Sequence, residues 1–219
     1  MHDHSNNIDK FEREYHLQSP IWWYTAPTFI YSMVNRALRT QEVETLIKMG
    51  FFIRDLHLQI QQLHSEQVNS RFTKPFTVYR GQGISKTDYE KMMKIKSGLM
   101  AFNNFLSTSI DPDISLTFAE SNTNNPDLIG ILFEITVDPT ESTTAFGCLN
   151  SVSYYNDSEE EILFSMHTVF RVGAIKKLDD TNRLWRVQLK MTTDNDQLLN
   201  VLTERMRQET QGSSSWARL

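Results

Sequence analysis

From Thr40 to His64 apolar residues return every third or fourth position. Leu46, Met49, Ile53, Leu56, Ile60 and Leu63 share one face of a helix while polar residues fill the other. Thr40 is read as its cap, with Glu42 in the first turn opposing the positive helix end. Upstream, Trp22, Trp23, Tyr24, Phe29 and Tyr31 form an aromatic stripe that reads as helical core. After Pro75 the period shortens. "FTVYRG" is a short β-prone run closed by glycine, and "SKTDYEKMMKIKSG" a short helix between a Ser85 cap and Gly98. "MAFNNFLSTS" reads as strand, and "DPDISLTFAES" as a helix capped by Asp111 with Pro112 first inside. "DLIGILFEITVD", "EILFSM", "TVFRVGAI" and "RLWRVQLK" are further strands with short connections. Helices first and strands afterwards predict an α+β domain. Its bounds are set at residues 21–192, after a polar tail over 1–20. Residues 193–219 are read as an amphipathic helix and linker ending in "GSSSWARL".

Composition narrows the function only a little. With 22 basic and 27 acidic residues the net charge is −5, which argues against nucleic acid or an anionic membrane as principal partner. Cys148 is the only cysteine, so no intramolecular disulfide and no cysteine-based zinc site can form; it reads as a small buried residue. No apolar run approaches the roughly 20 residues of a membrane span, and the first residues lack a signal-peptide core. A cytoplasmic protein, or one exported without such a signal, is expected. His2 and His4 belong to the polar tail, and no metal is implied.

One stretch departs from this ordinary picture. "YYNDSEEEILF" gathers three carboxylates, Glu159, Glu160 and Glu161, at the mouth of an apolar strand, where mutual repulsion is unfavourable unless solvent screens it or a site uses it. Alternate side chains of a strand share a face, about 6.6–7 Å apart. Glu159 and Glu161 therefore look one way and Glu160 the other. Two more segments precede it, "VYRGQG" at 78–83 and "FLSTS" at 105–109. Each alone reads as a surface arginine or as turn chemistry.

In this order the three resemble the Arg / Ser-Thr-Ser / Glu-x-Glu signature of the mono-ADP-ribosyltransferases, in the arginine-modifying branch. "WWYT" with "VNRALR" is similar to that family's N-terminal helical segment, and "TVFRV" to the strand after the catalytic glutamate. The resemblance runs from about Trp22 to Lys190. It implies two packed, roughly perpendicular mixed sheets with NAD, used as substrate, in the cleft between them. It further implies that Glu161 is the catalytic carboxylate beside the ribose, that Glu159 receives the target guanidinium, and that Ser107 holds Glu161 in place. By the same resemblance Arg80 binds the phosphate and ribose region, and Gly81 lets the backbone approach the nicotinamide amide. Phe118 packs on nicotinamide or else lies in a helix core, Asn104 helps hold the nucleotide, and Thr108 and Ser109 support the local strand and loop. One of Tyr154 and Tyr155 meets the protein target; the sequence does not choose between them. His167 is read as a structural strand-end residue.

The implied activity is transfer of ADP-ribose to protein arginine. An NAD glycohydrolase, or a silent NAD-binding module, would share most of these residues. No G-x-G-x-x-G turn is present, so NAD binding rests on the family cleft. The closing "WARL" is similar to the opening of tetratricopeptide repeats and implies helical repeats after Leu219.

Overall fold

The computed structural model describes residues 2–95, 97–141, 144–155, 160–180, 183–193 and 196–201. Five helices come first: α1 (His2–Glu14), α2 (Pro20–Thr25), α3 (Ile30–Thr40), α4 (Val43–Lys48) and α5 (Gly50–Gln67). There follow β1 (Phe76–Ser85), α6 (Lys86–Lys94), β2 (Leu99–Phe102), β3 (Leu106–Ser109), α7 (Pro112–Asn122), β4 (Leu128–Val137), β5 (Phe146–Cys148), β6 (Glu161–Phe164), β7 (Thr168–Lys177) and β8 (Leu184–Met191). This is the expected α+β order. No helix among the described residues is long and apolar enough to cross a membrane.

The strands form one hydrogen-bonded order, β2-β7-β8-β4-β1-β3-β6-β5. The expected pair of sheets survives as two unequal parts. β1 pairs with β4 along its whole length, from Phe76 opposite Val137 to Ser85 opposite Leu128, but meets β3 only at Tyr79 opposite Ser109. Beyond that pair the three strands β3, β6 and β5 part from the larger group. Two main cores result, the first shared by both parts. Phe133, Phe164, Phe170 and Val187 fill one, and Trp23, Phe52, Leu56 and Phe105 fill the other beneath the N-terminal helices. β6 is buried on both faces: Ile162 and Phe164 enter the first core and Leu163 the second. Period-two alternation therefore operates inside a continuous apolar run. Glu161, in phase with Leu163, emerges on the side that the helices cover.

Several expectations are corrected. Most of the polar tail over 1–20 is the helix α1, and its Phe11 is buried against Trp23, Phe29 and Phe52. Tyr15 Oη donates to Asp55 Oδ2 at 2.9 Å, binding this end to α5. One apolar residue per turn suffices for such docking, and a composition reading overlooks it. Thr40 does not begin a helix but ends α3, where Gln41 adopts a left-handed φ of 55° and bonds back to Ala37; Glu42 stands at the start of α4 without a side-chain capping bond. α6 stops at Lys94, short of Gly98. "MAFNNFLSTS" is two strands in different places, β2 beside β7 and β3 between β1 and β6. The edge strand β5 went unforeseen, since three residues show no alternation. Its free edge is closed by a side chain: Gln67 Nε2 donates to the Cys148 carbonyl at 3.0 Å, and Oε1 accepts the Cys148 N–H at 2.7 Å.

β1 does not stop at Gly81 but runs on through Gly83. The glycines are there for α7, which lies directly on the sheet. A Cβ on Gly81 would overlap the Ser115 carbonyl, and one on Gly130 the Ala119 carbonyl. Asp111 and Pro112 begin α7 as expected, the Asp111 side chain accepting the Asp113 N–H at 2.8 Å. We expect Gly130→Ala to lower stability by about 1–3 kcal/mol, because backbone and not a flexible side chain must give way. Urea unfolding checks this, and an unchanged midpoint would show that α7 does not press on the sheet.

Candidate active site

The register of two short strands assembles the centre. β3 and β6 pair Ser109 with Glu161, Thr108 with Ile162 and Ser107 with Leu163. Ser107 and Glu161 are thus diagonal neighbours on one face, within reach of each other. The Ser107 hydroxyl donates to Glu161 Oε1 at 2.5 Å, the short distance typical of a hydroxyl on a carboxylate. Thr108 points to the opposite face and donates to the Ile162 carbonyl at 2.8 Å, which locks the register. Ser109 Oγ accepts the Asp111 N–H at 3.0 Å and turns the chain into α7. Thr108 and Ser109 thus hold the backbone, as expected.

Arg80 lies one residue past the single β1–β3 pair. Its Nη1 donates to the Ser107 carbonyl at 2.7 Å and its Nε to Gln82 Oε1 at 3.1 Å. The guanidinium bridges the strands where their backbone pairing ends. Only two of its five N–H donors are needed for this.

Two cavities meet at the Ser107–Glu161 pair. One, of about 280 Å³, is lined by Arg80, Gly81, Ser109 and Phe118. The other, of about 440 Å³, is lined by the Thr25–Thr28 turn and Tyr155. Tyr31, Ser107 and Glu161 face both. Phe118 is 61% exposed at the rim of the smaller cavity, so it is not a helix-core residue. Gly81 lines that cavity, but the bulk it excludes is also that of α7. Asn104 lines neither cavity: it is buried and bonds the adjacent Phe105 carbonyl at 2.7 Å, shaping the crossing from β2 to β3.

Of the acidic run, Glu161 faces the cavities and Glu160 does not, as the alternation demands. Glu160 turns away and pairs with Arg71 at 3.1 Å. Glu159 lies outside the described residues. Tyr154 packs edge-on to Trp22 at 5.1 Å, whereas Tyr155 lines the larger cavity. His167 is exposed in the turn from β6 to β7 at a φ of 62°, its N–H on the Phe102 carbonyl. Cys148 is buried. Among the described residues no group of three or more His, Cys, Asp and Glu could hold a metal ion.

The sequence reading missed Tyr24, Tyr31 and the Thr25–Thr28 turn. Tyr24 belongs to the aromatic core as foreseen, yet it also lines the larger cavity. Its hydroxyl accepts from Asn35 Nδ2 at 2.8 Å. Burial above all, then the neighbouring Tyr31, pushes its pKa well above the usual tyrosine value, so it stays protonated. Tyr31 is 39% exposed and its ring meets Tyr24 at 5.1 Å. Its one available signal was its place in the first turn of a helix, just after Pro27 and Thr28.

Comparison with known proteins identifies the class. Residues 21–198 match the family model for the ADP-ribosyltransferase exoenzymes, and the chain belongs to that family. A search of curated protein sequences gives no significant match. Among solved structures, the Vis toxin of Vibrio splendidus, an ADP-ribosyltransferase, in its agmatine complex is similar over 88% of this chain and 85% of its own, at 17% identity and a TM-score of 0.56. HopU1 of Pseudomonas syringae covers 79% and 75%, at 21% identity and 0.58. C3stau2 of S. aureus, solved with NAD, covers 80% and 85%, at 18% and 0.53. These likenesses confirm the fold.

Removing the Ser107 hydroxyl should loosen Glu161 without emptying the smaller cavity of its cation. We expect Ser107→Ala to lower NAD hydrolysis about 10- to 100-fold, the range for a hydrogen bond to a charged group, with NAD affinity within a few-fold. Steady-state kinetics with direct NAD binding separates the two effects. An unchanged turnover would show that the 2.5 Å bond is idle.

Proposed function

We propose that the chain is an NAD-dependent mono-ADP-ribosyltransferase that modifies arginine side chains and releases nicotinamide. The observation that carries this reading is the position of Glu161: a carboxylate held by Ser107 on the wall common to two cavities. The smaller cavity, with the Arg80 cation and the exposed Phe118 ring, suits the phosphates and nicotinamide of NAD. The larger, with Tyr155 at its edge, suits a guanidinium, which stacks well on an aromatic face. Vis in complex with agmatine, a small guanidine, and C3stau2 with NAD lend support from the same fold.

The chemistry follows from the charge that develops. The bond between nicotinamide and ribose breaks with its electron pair going to nicotinamide, which leaves neutral, so no acid is needed to protonate it. Positive charge grows at the anomeric carbon, and the fixed Glu161 carboxylate stabilises it as in glycoside cleavage. A nitrogen of the target guanidinium then attacks that carbon and must lose a proton. Glu159, two positions before Glu161 in the sequence, is proposed to grip the guanidinium and accept that proton. Water in place of the guanidinium gives the hydrolytic reaction on the same carboxylate.

Incubation with labelled NAD and agmatine tests the reading: ADP-ribosyl-agmatine supports it, whereas free ADP-ribose alone makes the chain a glycohydrolase and intact NAD makes it a silent module. Glu161→Gln should abolish transfer and hydrolysis together, since its charge acts chiefly in the transition state. Glu159→Gln should depress transfer by about 10²–10³-fold, the range for a lost general base, and leave hydrolysis largely intact. A parallel fall of both activities would place Glu159 in the NAD site and remove the main support for arginine.

A further inference from the structure

Thr25 ends α2, and it is joined to a residue 129 positions away. Its Oγ1 accepts the Tyr154 N–H at 2.8 Å. The same hydroxyl donates to the Ile21 carbonyl at 2.9 Å, with the Trp22 carbonyl at 3.3 Å as a second acceptor. A hydroxyl has one proton and two lone pairs. The proton is committed to the helix, so a lone pair is directed at the loop amide. One turn earlier on α2, the Trp22 indole meets the Tyr154 ring edge-on at 5.1 Å, and Tyr154 in turn meets Tyr155 at 5.1 Å and 83°. Tyr155 is 59% exposed on the wall of the larger cavity, together with the Thr25–Thr28 turn and Glu161.

We propose that Thr25 and Trp22 are positioning residues for the acceptor: α2 grips the backbone and ring of Tyr154, and Tyr154 presents Tyr155 to the larger cavity. This rests on the reading that the larger cavity takes the acceptor. The far side of the loop is held differently, through the Ile110 N–H on the Glu160 carbonyl at 3.3 Å and the exposed Arg71–Glu160 pair, a kind of contact that contributes little. α2 thus contributes a direct, specific hold on the residue next to Tyr155. Arg80 and Phe118 belong to the other cavity and do not take part. Trp22 lines neither cavity, so an effect of changing it reaches the acceptor indirectly, with Tyr154 as the neighbour that leads to Tyr155.

The test compares Thr25→Val, Thr25→Ser and Trp22→Leu with the natural protein, measuring agmatine KM, NAD hydrolysis and hydrogen exchange at the Tyr154 amide. Valine keeps the shape of threonine but offers the amide no acceptor. Thr25→Val and Trp22→Leu should raise agmatine KM roughly five- to tenfold, the worth of one hydrogen bond or ring contact, and Trp22→Leu, outside both cavities, should leave hydrolysis and NAD KM within about twofold. Exchange at Tyr154 should quicken in Thr25→Val, and Thr25→Ser should restore both readouts. An unchanged agmatine KM overturns the proposal, as does a hydrolysis rate that falls in step with transfer, which would mark a general structural role. Absence of ADP-ribosyl-agmatine from the natural protein would instead contradict the arginine reading. For the anchor itself the contradicting result is unchanged Tyr154 exchange in Thr25→Val.

Discussion

A hydroxyl on a carboxylate, Ser107 on Glu161 at 2.5 Å, is the contact that the surrounding structure is arranged to permit. It spans two four-residue strands and requires their register to be right, because a slip of one residue would turn Glu161 to the opposite face. Thr108 guards that register from the other side by bonding the Ile162 carbonyl. The apolar residues after Glu161 anchor the strand in two cores at once, Ile162 and Phe164 in one and Leu163 in the other. A carboxylate at the end of so firmly held a strand has little freedom to rotate away from the wall between the two cavities. Such prior orientation is what electrostatic stabilisation of a developing cation needs.

The cleft opens because β1 and β3 pair at one point and then separate. Arg80 occupies the place where they part, and its side chain replaces the missing backbone contact through the Ser107 carbonyl. One residue thus closes a gap in the sheet and presents a fixed cation to the cavity beside it. On the outer face, glycines at 81 and 130 let α7 lie against the strands, which carries Ile114, Ser115 and Phe118 to the rim. On the inner face, α2 and α3 supply Tyr24, Tyr31 and the turn between them. The N-terminal helices are therefore part of the site and not only a support.

Much of this was legible in the residues. The helical face from Ile53 to Leu63, the Asp111–Pro112 start of α7 and the strands from Leu128 onward follow from local periodicity and capping, which act over a few residues, whereas Leu46 falls in the separate helix α4. Arg80, Ser107 and Glu161 were recognised by their order, and they converge because β1, β3 and β6 are neighbours. What escaped depends on contacts far apart in the chain. Tyr31 carries no periodic mark that separates it from its buried neighbours Trp23 and Tyr24. Asn104 sits inside a polar-looking break and is buried all the same. β5 is too short to show a pattern, and its edge is satisfied by Gln67, which lies 81 residues away. Phe11 docks a segment whose composition is otherwise that of a solvated tail.

On the proposed function, Ser107 acts through Glu161 and the two form one functional unit. A double-mutant cycle on NAD hydrolysis, comparing Ser107→Ala, Glu161→Gln and the two combined, measures this directly. If the account holds, the combined variant is no slower than Glu161→Gln alone, because the serine has nothing left to position. Losses that multiply would mean that each residue serves the reaction separately, and would contradict it.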